Sequence, residues 1–134
     1  MQIMVIDGQG GGMGRQLVSE IKAAFPDCLI RAVGTNSAAT AAMRKAGADI
    51  TATGENAVVV GARKAHVIVG PVGIVIADAL HGEITPRMAV AVGQSDAKRI
   101  LLPVNHCDNL VAGVGELSMG RLIENALELI RKTM

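Results

Sequence analysis

The segment Gln2–Val18, QIMVIDGQGGGMGRQLV, puts five glycines into the seven residues from Gly8 to Gly14. An apolar run, Ile3–Ile6, precedes them. Behind them Met13, Leu17, Val18, Ile21 and Phe25 recur at helical spacing. Strand, glycine loop and helix in that order form the layout of a phosphate-binding turn. The first turn of a helix carries unpaired N–H groups and a partial positive charge, and glycines let an anion reach that backbone with no Cβ in the way.

The spacing is G-x-x-G-x-x-G, through Gly8, Gly11 and Gly14, with no Lys-Ser/Thr after the last glycine. That pattern argues for a Rossmann-type turn and against an NTPase P-loop. The competing explanation is a tight strand-to-helix turn that needs positive φ and close packing but holds no ligand. Five glycines exceed what such a turn requires, and each carries an entropic cost on folding. The candidate cofactor-binding residues here are Asp7, Gly8, Gln9, Gly10, Gly11, Gly12, Met13 and Gly14.

A chain of 134 residues supports one domain with a substantial core, so the expectation is a single nucleotide-binding domain over residues 1–134. Half of it is hydrophobic, yet it has one Phe and neither Trp nor Tyr. Its core is therefore Ala, Val, Ile, Leu and Met, which suits a buried parallel sheet covered by helices on both faces. A net charge of +1, from 13 basic and 12 acidic residues, with no aromatic stacking platform, argues against a nucleic-acid partner. Two cysteines, Cys28 and Cys107, do not read as a disulfide framework. No signal peptide is expected before the first strand, and apolar runs such as Val67–Leu80 contain Gly, Pro or Asp and fall short of a membrane span. The expectation is a cytoplasmic protein. A mean hydropathy of +0.40 points to apolar surface hidden in a homo-oligomer, with a dimer favoured.

Periodicity predicts strands at Ile3–Ile6, Leu29–Val33, His66–Val69 and Ile100–Val104, with a short fifth at Ala48–Thr51. Helices are predicted near Met13–Phe25, Ser37–Ala46, Glu55–Ala62, Val72–Leu80, Pro86–Val92 and Ser118–Lys132. The alternation implies an α/β fold: three layers, Rossmann-like and doubly wound, around a mostly parallel sheet of four or five strands.

In such a sheet the ligand crevice lies beyond the carboxyl ends of the strands. The residues expected there are the glycine loop, then Thr35, Asn36 and Ser37, then Gly70, Pro71 and Val72, then Asn105-His106-Cys107-Asp108. A dinucleotide fold normally offers Asp or Glu to the ribose hydroxyls at the end of its second strand. Thr35, Asn36 and Ser37 stand there instead. Their donors suit a 2′-phosphate, with Arg44 as a further partner, and they serve equally as a helix cap. His81, Glu83, His106 and Glu55 are the acid–base candidates. For Glu55 the alternative is a favourable helix-dipole position, and for the turn around His81 and Glu83 it is a capped helix start at Thr85-Pro86. No metal site is expected, because the possible ligands lack a recognised spacing.

The stretches IDGQGGGMGRQL, AVGTNSAAT, AGADITATGENA, IVGPVGIVIADALHGEITPRMA and KRILLPVNHC resemble an uncharacterised family of small bacterial and archaeal Rossmann-like proteins, a domain-of-unknown-function family. The resemblance spans nearly the whole chain and implies a cytoplasmic Rossmann-like fold without naming an activity. More distantly, Gly8-x-x-Gly11-x-Met13-Gly14-Arg15 is similar to the cofactor turns of dihydrodipicolinate reductase and prephenate dehydrogenase. That likeness implies a nicotinamide nucleotide and covers the opening strand, turn and helix only. The leading expectation is a module that binds NADP(H) or NAD(H) at Gly8–Gly14. One alternative is a small oxidoreductase, or a lyase or transferase, that acts on a phosphorylated metabolite at an oligomer interface. The other is a ligand-free assembly or scaffold protein.

Overall fold

Short runs of Val, Ile, Leu and Met alternate with amphipathic segments, and the runs Ile3–Ile6 and Val67–Val69 become fully buried strands. The computed structural model describes residues 1–104 and 108–134. Its elements are β1 (Gln2–Asp7), α1 (Gly12–Ala24), β2 (Leu29–Gly34), α2 (Ser37–Lys45), β3 (Ile50–Thr53), α3 (Glu55–Lys64) and β4 (Val67–Pro71). A 3-10 turn (Val72–Val75), α4 (Pro86–Gly93), β5 (Lys98–Leu102) and α5 (Met119–Lys132) follow. The five strands form one wholly parallel sheet in the order β3-β2-β1-β4-β5.

Parallel strands need crossovers of one hand, so the face on which a helix lies is set by the direction in which the chain winds. The chain winds outward from β1 to β3 and then returns to β4 on the other side of β1. Accordingly α1, α2 and α5 bury Leu17, Ile21, Met43, Ile123 and Ile130 against one face, with Ile3, Val5, Ile30 and Val69. On the other face α3 and α4 bury Val58, Ala62, Met88 and Val92 with Met4, Ile6, Val33 and Ile68. This is a doubly wound, Rossmann-like α/β fold. Winding reverses between β1 and β4, and in a doubly wound sheet the ligand crevice lies at that switch, beyond the carboxyl ends of the strands.

One expected helix does not form. Val72–Leu80 contributes only the 3-10 turn, because Asp78, Leu80 and His81 take positive φ values of 67°, 55° and 56° and reverse the chain. The Asp78 N–H donates to the Ile84 carbonyl at 2.7 Å and the Ile84 N–H donates to the Ala79 carbonyl at 3.1 Å, closing a tight loop. The apolar residues that read as a helix face instead plug Ile74, Leu80 and Ile84 into the α3/α4 side of the core. The fifth strand runs from Ile50 to Thr53, later than Ala48–Thr51. The last strand starts at Lys98 and ends at Leu102, since its polar, exposed start hides the pattern. His66 precedes β4, at the end of the sheet opposite the crevice, where its Nδ1 accepts from the Gln2 N–H at 2.9 Å. Cys28 is a buried core residue.

Asp49 ties α1 to the sheet. Its Oδ2 accepts from the Ile30 N–H at 2.8 Å and its Oδ1 meets Lys22 Nζ at 2.6 Å. The Ile30 hydrogen bond first, and Lys22 second, hold this carboxyl below the usual Asp range. A depressed folded pKa gives stability that is present above the unfolded value of about 3.9 and is lost as pH falls through the folded one. Urea denaturation of wild type and Asp49→Asn should therefore differ by a constant amount above about pH 5 and converge below about pH 4. A gap that ignores pH would mean the charge itself is not what these partners hold.

Candidate functional site

β1 ends on a buried carboxylate. Asp7 is only 5 % exposed; its Oδ1 accepts from the Gly8 N–H at 2.8 Å and its Oδ2 from the Gly14 N–H at 2.7 Å. Burial pushes its pKa up, the two backbone hydrogen bonds oppose that, and nearby Glu83 adds to the rise. The carboxylate pins the two ends of the glycine loop. Between them the Gly11 N–H donates to the Gly8 carbonyl at 3.0 Å, and Gly11 turns the chain at φ 75°. Gly11 is also the N-cap of α1 and offers no side-chain cap. The Gly14 N–H is taken by Asp7, whereas the N–H groups of Gly12 and Met13 have no partner among the described residues.

Sterics divide the five glycines. A Cβ on Gly8 would meet Thr35 Oγ1 at 2.5 Å, one on Gly11 the Ala39 Cα at 2.8 Å, and one on Gly14 both Asp7 Cβ and Met43 Sδ at 2.7 Å. Packing alone accounts for those three. Among the described residues nothing lies within 4 Å of a Cβ on Gly10 or Gly12, and neither glycine has a positive φ. Both are exposed. Neither fold geometry nor packing requires glycine at these two positions, and they flank the uncapped start of α1.

Glu83, from the loop after β4, crosses to the end of β2. Its Oε1 accepts from Thr35 Oγ1 at 2.5 Å, from Asn36 Nδ2 at 2.7 Å and from the Gln9 N–H at 3.0 Å. Burial would raise the Glu83 carboxyl. The hydrogen bonds from Thr35, Gln9 and Asn36, with the His81 charge behind them, outweigh burial and hold it below the usual Glu range. Asn36 does two jobs: its Oδ1 caps α2 through the Ala39 N–H at 2.8 Å while its Nδ2 also donates to the Gln9 carbonyl at 2.9 Å. Ser37 is exposed on the first turn of α2, and Arg44 sits on its last turn.

Other candidates lie apart from this cluster. Glu55 opens α3, where its Oε1 accepts from Thr85 Oγ1 at 2.6 Å and its Oε2 lies 3.7 Å from Arg87, so it fastens α3 to the start of α4. Gly70 and Pro71 end β4 and are buried, with a Cβ on Gly70 meeting the Ile6 carbonyl oxygen at 2.5 Å; Val72 is half-buried. His81 is exposed beside Glu83. His106 lies outside the described residues. Among the described residues no three His, Cys, Asp or Glu side chains gather as a metal site, and no helix is long and apolar enough to cross a membrane.

With this geometry in place the family is defined by a match to the Domain of unknown function (DUF3842) over residues 2–134. The chain belongs to DUF3842. No curated protein matches it in sequence. Among solved structures the fold is similar to a dodecameric FMN-dependent UbiX-like decarboxylase from Escherichia coli O157:H7. The TM-score is 0.58 at 16 % identity, over 98 % of this chain and 95 % of that one. At such identity the likeness is one of fold.

Sequence reasoning did not foresee two features of this DUF3842 site. Leu80 is buried, and its Cδ1 lies 3.0 Å from where a Cβ on Gly8 would be, so the loop after β4 packs onto the glycine loop. The apolar pair Leu80 and Ile84 on either side of His81-Gly82-Glu83 is the only local trace of that. Asp7 proves to be the loop's anchor, a role that a lone acid at a strand end does not announce.

The division of the glycines is testable by thermal or urea denaturation. Gly14→Ala forces a Cβ into Asp7 and Met43 and should cost about 1–3 kcal/mol. Gly12→Ala, with open space on a helix, should be neutral or stabilise by about 0.5–1 kcal/mol. Equal losses from both would contradict the assignment of only Gly14 to packing.

Proposed function

We propose that this chain binds a phosphate-bearing nucleotide, with the phosphate on the free N–H groups of Gly12 and Met13 and with Gly10 and Gly12 left bare for its approach. The single observation that carries this reading is that pair of glycines, unexplained by φ or packing, beside an uncapped helix start. Hydrogen-bond donors in that position complement an anion, and the helix dipole favours negative charge there. The crevice between β1 and β4 then takes the rest of the ligand. A nicotinamide nucleotide, NAD(H) or NADP(H), is the finer reading, on the likeness of the turn to nicotinamide-binding enzymes. FMN belongs in the same test, because the fold neighbour is described as FMN-dependent.

A binding role is favoured over a catalytic one by the state of the carboxylates. Glu83 is saturated at one oxygen and held acidic, which makes it a good hydrogen-bond acceptor and a weak base. Glu55 is engaged with Thr85 and Arg87.

Differential scanning fluorimetry against NAD+, NADH, NADP+, NADPH and FMN tests the proposal. A true ligand at about 100 times its Kd adds roughly 2.7 kcal/mol, a rise in Tm of several degrees. Gly12→Val should remove that rise and leave the unliganded Tm in place. A rise that survives in the variant would sink the placement. Gly11→Val is the poorer probe, since its Cβ strikes α2.

The proposal includes self-association, the dimer being the simplest form. Leu110 is 91 % exposed, and Val111, Val114, Leu117 and Leu129 are exposed with it. Apolar side chains in such number favour burial against another surface. Light scattering should give a mass above 13.8 kDa for wild type and a shift toward that mass for Leu110→Asp. A wild-type monomer would end this part of the reading.

A further inference from the structure

Counting the donors at the end of β2 shows what that corner of the crevice can recognise. Thr35 has one hydroxyl proton, Asn36 two amide protons and Gln9 one backbone N–H. The Thr35 proton goes to Glu83 Oε1, as does the Gln9 N–H. The Asn36 protons go to Glu83 Oε1 and to the Gln9 carbonyl. Each of these four protons is used within the set; Ser37, exposed on the first turn of α2, stands outside it. What the corner presents instead is Glu83 Oε2, which has no partner among the described residues. It belongs to a half-buried carboxylate whose other oxygen is fixed by three donors.

We propose that Glu83 is the hydroxyl acceptor for the ligand's sugar, supplied by the loop after β4 rather than by β2, and that it selects an unphosphorylated diol over a phosphorylated one. This rests on the nucleotide reading above and deepens it to the sugar. The place is right for that task, because Glu83 Oε1 lies 2.9 Å from where a Cβ on Gly8 would stand and contacts Thr35, the residue that follows β2. A carboxylate held in one position accepts two hydroxyl protons at little entropic cost. A 2′-phosphate in the same corner would face Glu83 directly and buried Asp7 behind it, with like charges and with the Thr35 hydroxyl, the Asn36 amide and the Gln9 N–H already engaged. The corner also meets a backbone held under tension. Asp78, Leu80 and His81 all take positive φ, a conformation that side-chain-bearing residues adopt only when the surroundings enforce it. Burial of Leu80 and Ile84 and the three hydrogen bonds to Glu83 supply that enforcement.

Isothermal titration of the full chain with NADH and NADPH decides the matter, and wild type alone already answers. NADH should bind at least about tenfold more tightly than NADPH, the margin expected of like-charge exclusion near a protein surface. In Glu83→Gln, which keeps the shape and loses the charge, NADH should weaken and the ratio should fall toward one. Equal affinity for the two in wild type, or a preference for NADPH, overturns the proposal and leaves the phosphate site standing. So does a Glu83→Gln variant that keeps the wild-type ratio. If FMN is the nucleotide that binds, its free ribityl hydroxyls take the diol's place, and Glu83→Gln must weaken it by about tenfold; unchanged FMN affinity overturns the proposal. Binding of none of the three overturns the nucleotide reading itself, and this inference with it.

Discussion

Two hydrogen bonds from backbone N–H groups to one buried carboxylate hold the site together. Asp7 receives Gly8 on one oxygen and Gly14 on the other, so the last residue of β1 clamps the first glycine of the loop to the first turn of α1. The clamp fixes where the loop turns, at Gly11, and it uses up the third N–H of the helix. The N–H groups of Gly12 and Met13 are left without a partner among the described residues. Burying the acid is unfavourable on its own, as the upward push on its pKa records, and the two donors offset that.

A second carboxylate, Glu83, behaves in the opposite sense within the same small volume. Three donors converge on one oxygen and hold it ionised. Asp7 serves the backbone and is buried, whereas Glu83 is half-buried and its Oε2 has no partner among the described residues. Environments that separate two neighbouring acids in this way give them different roles. Here one is an anchor and the other an acceptor.

Much of the fold was legible because it is written in contiguous residues. Alternating apolar runs and amphipathic stretches locate the strands and all five described α-helices, with one expected helix that does not form, and the βαβ order implies parallel pairing with helices on both faces. The helix expected at Val72–Leu80 was misread because a buried loop shows the same apolar density as a helix. Only the positive φ values at Asp78, Leu80 and His81 tell them apart, and nothing in the side chains of those residues demands that backbone. The glycine loop was legible as a cluster but not as individuals. Which glycines answer to Ala39, Met43 and Thr35, and which answer to no described residue, depends on neighbours far away in sequence.

The sequence by itself determined the order of elements, the glycine-bearing turn after β1 and the absence of an acid at the end of β2. Each of these is a property of adjacent residues and of the periods at which helices and strands repeat. Only the tertiary structure decided that an acid stands there after all. Glu83 is separated from Thr35 by 48 positions and reaches it across the sheet's open end. That meeting follows from the reversal of strand order between β1 and β4, which brings the loop after β4 over the loop after β1. Side-chain chemistry can be read one residue at a time, but hydrogen-bond satisfaction belongs to pairs, and pairs exist only in three dimensions.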